Sequence, residues 1–308
     1  MKRKLISLIL CLCMIFSLFG GFQNAFASEE KGEYIVYLDV EKHSPGYEEA
    51  YLNKDYGKAI SLADEALDYY EGEFKSMFAG IEVISRAQLL VPSLCVRLNK
   101  SDLDAIKALD YVKEVFNNEI IYESDVVRSD MRVFRDQSVM TDSIKMVNSN
   151  ELIGNDDVLQ KKYNGAGSVL AIIDSNMDPS HDAFYLSNPG LAKLRKPDIN
   201  DFLNGGKLSL KDNTQDQKLY EDVYRSEKIP FGWNYNTNSK DLNPEKEKAA
   251  HGQHVSGTVA GNAVQIDGKT WRGVAPEAQL LMMNVMKQGS TSSNIYIRAM
   301  QDAIVMGG

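Results

Sequence analysis

The sequence predicts an α/β protein with two zones: a small α+β sandwich, followed by a parallel sheet with flanking helices. Three observations support this prediction. Short β-rich runs alternate with runs of helical period between residues 33 and 124. A continuous apolar run then ends in a carboxylate at Asp174, which is typical of a parallel strand buried on both faces. The length of 308 residues and the hydrophobic content of 44% suffice for two cores.

The first 27 residues are predicted to be a secretory signal peptide. Residues 2–4 are Lys-Arg-Lys, an apolar run extends from Leu5 to Phe19, and residues 25–27 give a small-residue cleavage site. A transmembrane anchor is the alternative, but the run is short for a bilayer. We therefore expect a secreted, extracellular product with no membrane span after cleavage, whose full-length form could be attached to the cell wall. Cys95 then remains as a single cysteine that has no intramolecular partner.

Residues 28–125 show the order strand, helix, strand, strand, helix, strand. The runs that predict these elements are 34–40, 56–70, a strand before Pro92, 94–98, a helix capped by Ser101, and 112–122. This order predicts a small ferredoxin-like sandwich. That topology by itself identifies no function, because unrelated proteins share it.

The boundary between the zones is polar. Residues 126–160 are irregular and predict a solvated linker and processing region open to proteolysis. The second zone, residues 161–308, opens with the glycines at 165 and 167 and then the strand Val169 to Asp174. Glycines before a strand are in the wrong order for a dinucleotide-binding turn.

The net charge of −9 argues against a nucleic-acid partner, because phosphate recognition needs clustered Lys and Arg.

Two segments of the second zone carry the candidate chemistry. Asp174-Ser175-Asn176-Met177-Asp178 ends the buried strand, and His251 to Gly261 is a run of small residues with poor intrinsic helix propensity. A histidine that acts as a general base needs a carboxylate to fix its tautomer and stabilise the imidazolium. Asp174 can orient His251 in this way, because sites form at the carboxyl ends of parallel strands. We take Asp174 and His251 as the catalytic candidates.

These segments resemble the aspartate and histidine boxes of the subtilase family (peptidase S8), and residues 271–278 resemble its Gly-Val-Ala-Pro turn. The resemblance implies that His251 opens a helix, whose small residues are expected to permit close packing against the sheet. The resemblance spans residues 146–308, and large cell-envelope subtilases are the most similar branch. It implies a partial subtilisin-like parallel sheet and a serine endopeptidase that cleaves proteins or peptides with an Asp/His/Ser triad. The upstream sandwich resembles an inhibitor-like propeptide, which implies an intramolecular inhibitor and folding chaperone.

Two residues depart from the family pattern. Asn176 stands where glycine is usual, and Gln253 stands where threonine is usual. Asparagine tolerates left-handed backbone angles, which makes the first change compatible with the turn. His254 is expected to be structural, and neither His181 nor Asp182 is given a catalytic role.

The resemblance also implies the surroundings of the site. The strand at 281–286 is expected to pair with extended peptide through its backbone. Residues 293–306 are interpreted as the next helix, with its apolar face formed by Ile297, Met300, Ala303 and Ile304. Residues 184–250 are interpreted as a large surface insertion with a short strand at 232–234. Its acidic loops could hold Ca²⁺, but no ligand spacing assigns a site, and no cofactor is required.

The catalytic serine is the missing part of the pattern. The family presents it in a Gly-Thr-Ser-x-Ala context, which none of Ser256, Ser290, Ser292 and Ser293 has. We therefore expect a C-terminally truncated fragment that is inactive alone and whose last strand has an unpaired edge. One alternative is an inert secreted remnant whose propeptide acts as inhibitor or chaperone. Another is a metal-dependent hydrolase that uses His251 and His254, for which a third ligand is missing.

Overall fold

The computed structural model describes residues 30–122, 150, 152–160, 162–210, 222–243, 251–266 and 268–308. The predicted signal peptide and most of the predicted linker lie outside the described residues. The strands are β1 (Lys31–Leu38), β2 (Glu82–Ala87), β3 (Ser93–Asn99), β4 (Val112–Asn117), β5 (Ile120–Tyr122), β6 (Val169–Asp174), β7 (Phe231–Asn234), β8 (Val264–Ile266), β9 (Lys269–Trp271), β10 (Gln279–Asn284) and β11 (Ser290–Ser292). The helices are α1 (Val40–His43), α2 (Tyr47–Leu52), α3 (Tyr56–Met77), α4 (Leu103–Lys107), α5 (Asn155–Gln160), α6 (Lys196–Asn204), α7 (His251–Ala260) and α8 (Ser293–Val305).

The N-terminal unit, residues 30–122, is a four-stranded antiparallel sheet in the order β2-β3-β1-β4, packed against α3. The predicted alternation of strands and helices is observed, with α1 and α2 as additions before α3. Helix α3 begins after Asp55, whose carboxylate accepts from the Lys58 backbone N–H at 3.2 Å. It continues seven residues beyond the predicted end at Tyr70, because Phe74 extends the buried face by one more turn. Cys95 on β3 is free and buried.

The predicted last strand of this unit is in fact two strands. β4 ends at Asn117, where a tight turn forms as the Glu119 backbone N–H donates to the Asn117 carbonyl at 3.0 Å. β5 then leaves the four-stranded sheet and pairs with β11 in antiparallel register, with Ile121 opposite Thr291. The break follows from this change of partner, which no local periodicity signals.

The second sheet has three parallel strands in the order β6-β10-β7. Every residue of β10 is buried, whereas β6 is only half-buried because it lies at an edge among the described strands. Two expectations are therefore wrong. β6 is not buried on both faces, and the last parallel strand, β10, is not an unpaired edge, since it is hydrogen-bonded on both sides.

The insertion at 184–250 is more than a surface elaboration. It supplies β7, in which Phe231 and Trp233 are fully buried beside β10. Its residues Leu210 and Val223 are also fully buried, in the same hydrophobic cluster as Phe231 and Trp233. The prediction of a short strand at 232–234 is confirmed, but that strand belongs to the parallel sheet.

Helix α8 packs with β2 of the N-terminal unit on one side and β6 on the other. Its apolar face is not as expected: Met300 is 43% exposed, and Arg298, Gln301 and Asp302 are buried. The Asp302 carboxylate accepts from the Ser209 backbone N–H at 2.7 Å, which ties the insertion to the helix. The buried Gln301 side chain has its partners at Gln88 and Leu89, directly after β2, so the buried polar positions of α8 are hydrogen-bonded. None of the described helices is both long and apolar enough to cross a membrane.

Candidate active site

Asp174 and His251 meet at the carboxyl end of the parallel sheet. Asp174 is the last residue of β6 and His251 is the first of α7. The His251 Nδ1 atom lies 2.8 Å from Asp174 Oδ1, and the two side chains are 34% and 18% exposed. The Ser175 backbone N–H donates to the same carboxylate oxygen at 2.7 Å, which fixes the carboxylate in place. The structure thus brings the two predicted residues together.

The geometry assigns different tasks to the two ring nitrogens. Hydrogen bonding to a carboxylate places the proton on Nδ1, so that neutral His251 presents the lone pair of Nε2. Among the residues that the structure describes, no hydrogen-bond partner occupies Nε2. The pair can therefore accept a proton from a hydroxyl that approaches the Nε2 side.

Close packing explains why a segment of low helix propensity forms α7. A Cβ atom at Gly252 would lie 2.6 Å from the Ser175 carbonyl oxygen, and one at Gly261 would lie 2.8 Å from the Trp271 ring. Only glycine allows these approaches, so tertiary contacts support a helix that local propensity would not. The expectation that small residues permit close packing is confirmed.

The side chains of Asn176 and Gln253, the two residues that depart from the family pattern, both form hydrogen bonds. Gln253 Oε1 accepts from the Asp178 backbone N–H at 2.8 Å, and Asn176 Oδ1 accepts from Asn284 Nδ2 at 2.9 Å. The left-handed rationale for Asn176 is wrong, because its φ is not positive. The side chain at 176 is used for a buried hydrogen bond instead.

The four serines considered in the sequence have hydroxyl partners away from His251. They are Ser256 Oγ with the Gly252 carbonyl at 2.7 Å, Ser290 Oγ with the Lys287 carbonyl at 3.1 Å, Ser292 Oγ with Asn294 Oδ1 at 2.6 Å, and Ser293 Oγ with the Glu119 carbonyl at 3.4 Å. His254 is exposed on α7, and His181 Nδ1 accepts from the Ala183 backbone N–H at 3.1 Å. Within the described part of the chain, no three His, Cys, Asp or Glu side chains could hold a metal ion together.

The expectation that the strand at 281–286 pairs with extended peptide is not met for residues 281–284, which are bonded on both sides; the edge that pairs with another segment is β11. β10 cannot accept another strand along its paired length, because β6 and β7 already bond to it. After β10 the chain turns at Gly289, where φ is +73°, and β11 follows. β5 pairs with β11, and its side chains are largely open: Ile120 is 61% exposed and Tyr122 is 71% exposed.

Sequence reasoning missed Glu277, which supports the far end of α7. Its carboxylate accepts from the Ser187 backbone N–H at 3.1 Å and from Asn262 Nδ2 at 2.7 Å. Burial alone would raise the pKa of Glu277, but hydrogen bonds from Ser187 and Asn262 outweigh it and hold the pKa below 4.5. The signal in the sequence that could have indicated this role is the carboxylate of Glu277 directly after Ala275-Pro276 and just before a buried strand.

Comparison with known proteins decides the family of this region. Residues 165–307 match the peptidase S8 model, described as the subtilase family. The chain carries a subtilase domain. Both Asp174 and His251 lie within the matched residues of this domain.

Proteins similar to this chain are named as peptidases. It is 26% identical over 286 residues to the PI-type proteinase of Lactococcus lactis subsp. cremoris, a match that covers 88% of this chain and 13% of that protein. It is 28% identical over 152 residues to the C5a peptidase of Streptococcus pyogenes serotype M3, covering 48% of this chain and 12% of that protein. The chain therefore spans about an eighth of the length of these relatives.

A solved structure is also similar. The epidermin leader peptide processing serine protease of Staphylococcus aureus matches 90% of this chain and 48% of its own, with a TM-score of 0.47 and 15% sequence identity.

Proposed function

We propose that this chain, with its subtilase domain at residues 165–307, belongs to a secreted serine endopeptidase that cleaves proteins or peptides, with His251 as general base and Asp174 as the carboxylate that orients it. The observation that carries the proposal is the 2.8 Å contact between His251 Nδ1 and Asp174 Oδ1 at the end of the parallel sheet. The nucleophilic serine would come from outside the described residues.

Each group has a defined task in this reaction. As a serine hydroxyl attacks the peptide carbonyl carbon, Nε2 of His251 takes its proton, and Asp174 stabilises the resulting imidazolium. His251 then gives this proton to the leaving amine, and the acyl-enzyme ester is hydrolysed by water in a second step of the same kind. In this scheme the proton moves between the serine, His251 and the leaving amine, and Asp174 only accepts the hydrogen bond from Nδ1.

The N-terminal unit is proposed to act as an intramolecular inhibitor. Its strand β5 already occupies the β11 edge by antiparallel pairing, which is how an extended peptide adds to a sheet edge. Asn294 on α8 reinforces the contact, because its backbone N–H donates to Asn118 Oδ1 at 3.1 Å. An extended peptide and β5 would compete for this edge.

A second contact supports the same role. Gln301 Oε1 on α8 accepts from the backbone N–H groups of Gln88 and Leu89 at 2.7 and 3.2 Å, and Gln301 Nε2 donates to Gln88 Oε1 at 2.7 Å. Gln301 and Gln88 are 1% and 3% exposed. Buried and mutually satisfied amides hold two surfaces in one register.

Three statements stay predictions from the sequence. They are secretion directed by residues 1–27, the domain boundaries at 28–125, 126–160 and 161–308, and the absence of a required cofactor. A Ca²⁺ requirement is likewise left unassigned.

The test uses the complete gene product, a fluorophosphonate probe that labels activated serines, and a fluorogenic peptide. Labelling and hydrolysis are expected in the wild type and in His254→Ala, which changes an exposed histidine of the same helix. Both should disappear in His251→Ala. Asp174→Asn should slow both by about 10⁴-fold, because an amide at this position favours the wrong tautomer.

Full labelling of His251→Ala would overturn the general-base assignment. A folded wild type that neither labels nor hydrolyses peptide would favour the inert secreted remnant instead.

A further inference from the structure

Asn284 ends β10 directly beside Asp174, its partner in the parallel register of β6 and β10. Its side chain is fully buried and its amide makes three hydrogen bonds. Nδ2 donates to Asn176 Oδ1 at 2.9 Å and to the Leu242 carbonyl at 3.0 Å, and Oδ1 accepts from the Met286 backbone N–H at 3.0 Å. A buried amide bonded on both of its atoms is fixed in one orientation.

Residues 175–178, here called the platform loop, carry the start of α7. The Gly252 backbone N–H donates to Ser175 Oγ at 3.1 Å, and Gln253 Oε1 accepts from the Asp178 backbone N–H at 2.8 Å. The helix lies so close that a Cβ at Gly252 would approach the Ser175 carbonyl oxygen to 2.6 Å. The position of the platform loop therefore sets the position of His251.

We infer that Asn176 and Asn284 form a positioning pair that holds the platform loop against β10 and so maintains the Asp174–His251 hydrogen bond. Asn176 is the middle of the platform loop and only 4% exposed, so its side-chain contact joins the loop to the strand beside Asp174. A glycine at 176, usual in the family pattern, would leave this side-chain contact unmade. The inference rests on the proposed function only for its effect on the reaction rate.

The direct test is nitrogen NMR of the imidazole rings in the full 308-residue chain at about pH 8.5, where an ordinary histidine is neutral. The chain has four histidines, so His251→Ala assigns the resonances of residue 251. In the wild type, His251 is expected to carry its proton on Nδ1. In Asn284→Ala the Nδ1-protonated fraction should fall, because the loop is released and the carboxylate contact lengthens.

Asn262→Ala is the matched control. Asn262 is 5% exposed, follows the other end of α7, and donates to Glu277 and to the Tyr185 carbonyl. Its replacement should destabilise the chain but leave the His251 ring spectrum unchanged. An equal spectral change in Asn262→Ala would show a general structural effect and overturn the inference.

Asn176→Gly separates the pair from the rest of the network, because it removes only one acceptor. It should shift the His251 tautomer in the same direction, and the double variant with Asn284→Ala should be no worse than Asn284→Ala alone. If Asn284→Ala does not fold, Asn176→Gly decides the matter. A folded Asn176→Gly chain with a wild-type His251 spectrum would overturn the inference.

In the complete gene product, fluorophosphonate labelling of Asn176→Gly should slow by about 10- to 100-fold, the scale of a misplacement of about 1 Å. A wild type that does not label refutes the proposed function, while the NMR result still decides the positioning pair.

Discussion

Gln301→Ala should loosen the contact between the N-terminal unit and α8. The change leaves the buried backbone N–H groups of Gln88 and Leu89 without their acceptor. An unpaired buried donor costs about 1–3 kcal/mol. Water that enters the gap offsets part of this penalty, so we expect the two donors together to cost about 2–3 kcal/mol. This free energy corresponds to an increase of about 30- to 150-fold in the equilibrium constant for opening the contact.

Amide hydrogen exchange of the intact chain measures that equilibrium at the two residues concerned. Exchange at Gln88 and Leu89 should accelerate by about 30- to 150-fold in Gln301→Ala. Met300→Ala, a change at a 43% exposed position of the same helix, should leave it unchanged. Gln301→Glu should restore slow exchange only in part, because a carboxylate accepts from both N–H groups but cannot donate to Gln88 Oε1 and is charged at a buried position. Wild-type exchange at both amides in a folded Gln301→Ala chain would refute the reasoning.

Two further changes test the support of α7. Gly252→Ala should lower the free energy of unfolding by about 1–3 kcal/mol in denaturant titrations, because its Cβ would meet the Ser175 carbonyl at 2.6 Å. Gly72→Ala, in an open stretch of α3, should instead raise it by about 0.5–1 kcal/mol, and equal effects would contradict the packing argument. Glu277→Gln tests the pH dependence of stability. Because the pKa of Glu277 is lowered in the folded chain, its carboxylate contributes stability above pH 4.5 that is lost as the group protonates at lower pH. The difference in free energy of unfolding between wild type and variant should therefore shrink from pH 6 to pH 3. A difference of the same size at both pH values would count against this origin.

Periodicity was sufficient for most elements. The alternation around Val96 predicted β3, and the apolar run to Asp174 predicted a strand that ends in a carboxylate. These features depend on neighbours along the chain, which is why they can be recognised without knowing the fold. The position of His251 at the start of a helix was also predicted correctly.

Partners that are distant along the chain could not be predicted in the same way. The break at Asn117 arises because β5 finds β11 more than 160 residues later, and the buried polar face of α8 exists because Gln301 meets Gln88 across 213 positions. Periodicity identifies apolar faces, so it placed the exposed Met300 on the buried face and missed the buried polar side chains Gln301 and Asp302.

The sequence by itself determined the chemistry that this chain can offer: a carboxylate at a strand end, an imidazole at a helix start, and small residues along that helix that permit close packing. Only the tertiary structure decided that β11 is the edge that pairs with β5 and that Asn176 finds Asn284, 108 positions away. The physical reason is that a hydrogen bond needs its two atoms within about 3 Å, and chain folding alone brings such distant residues to that separation.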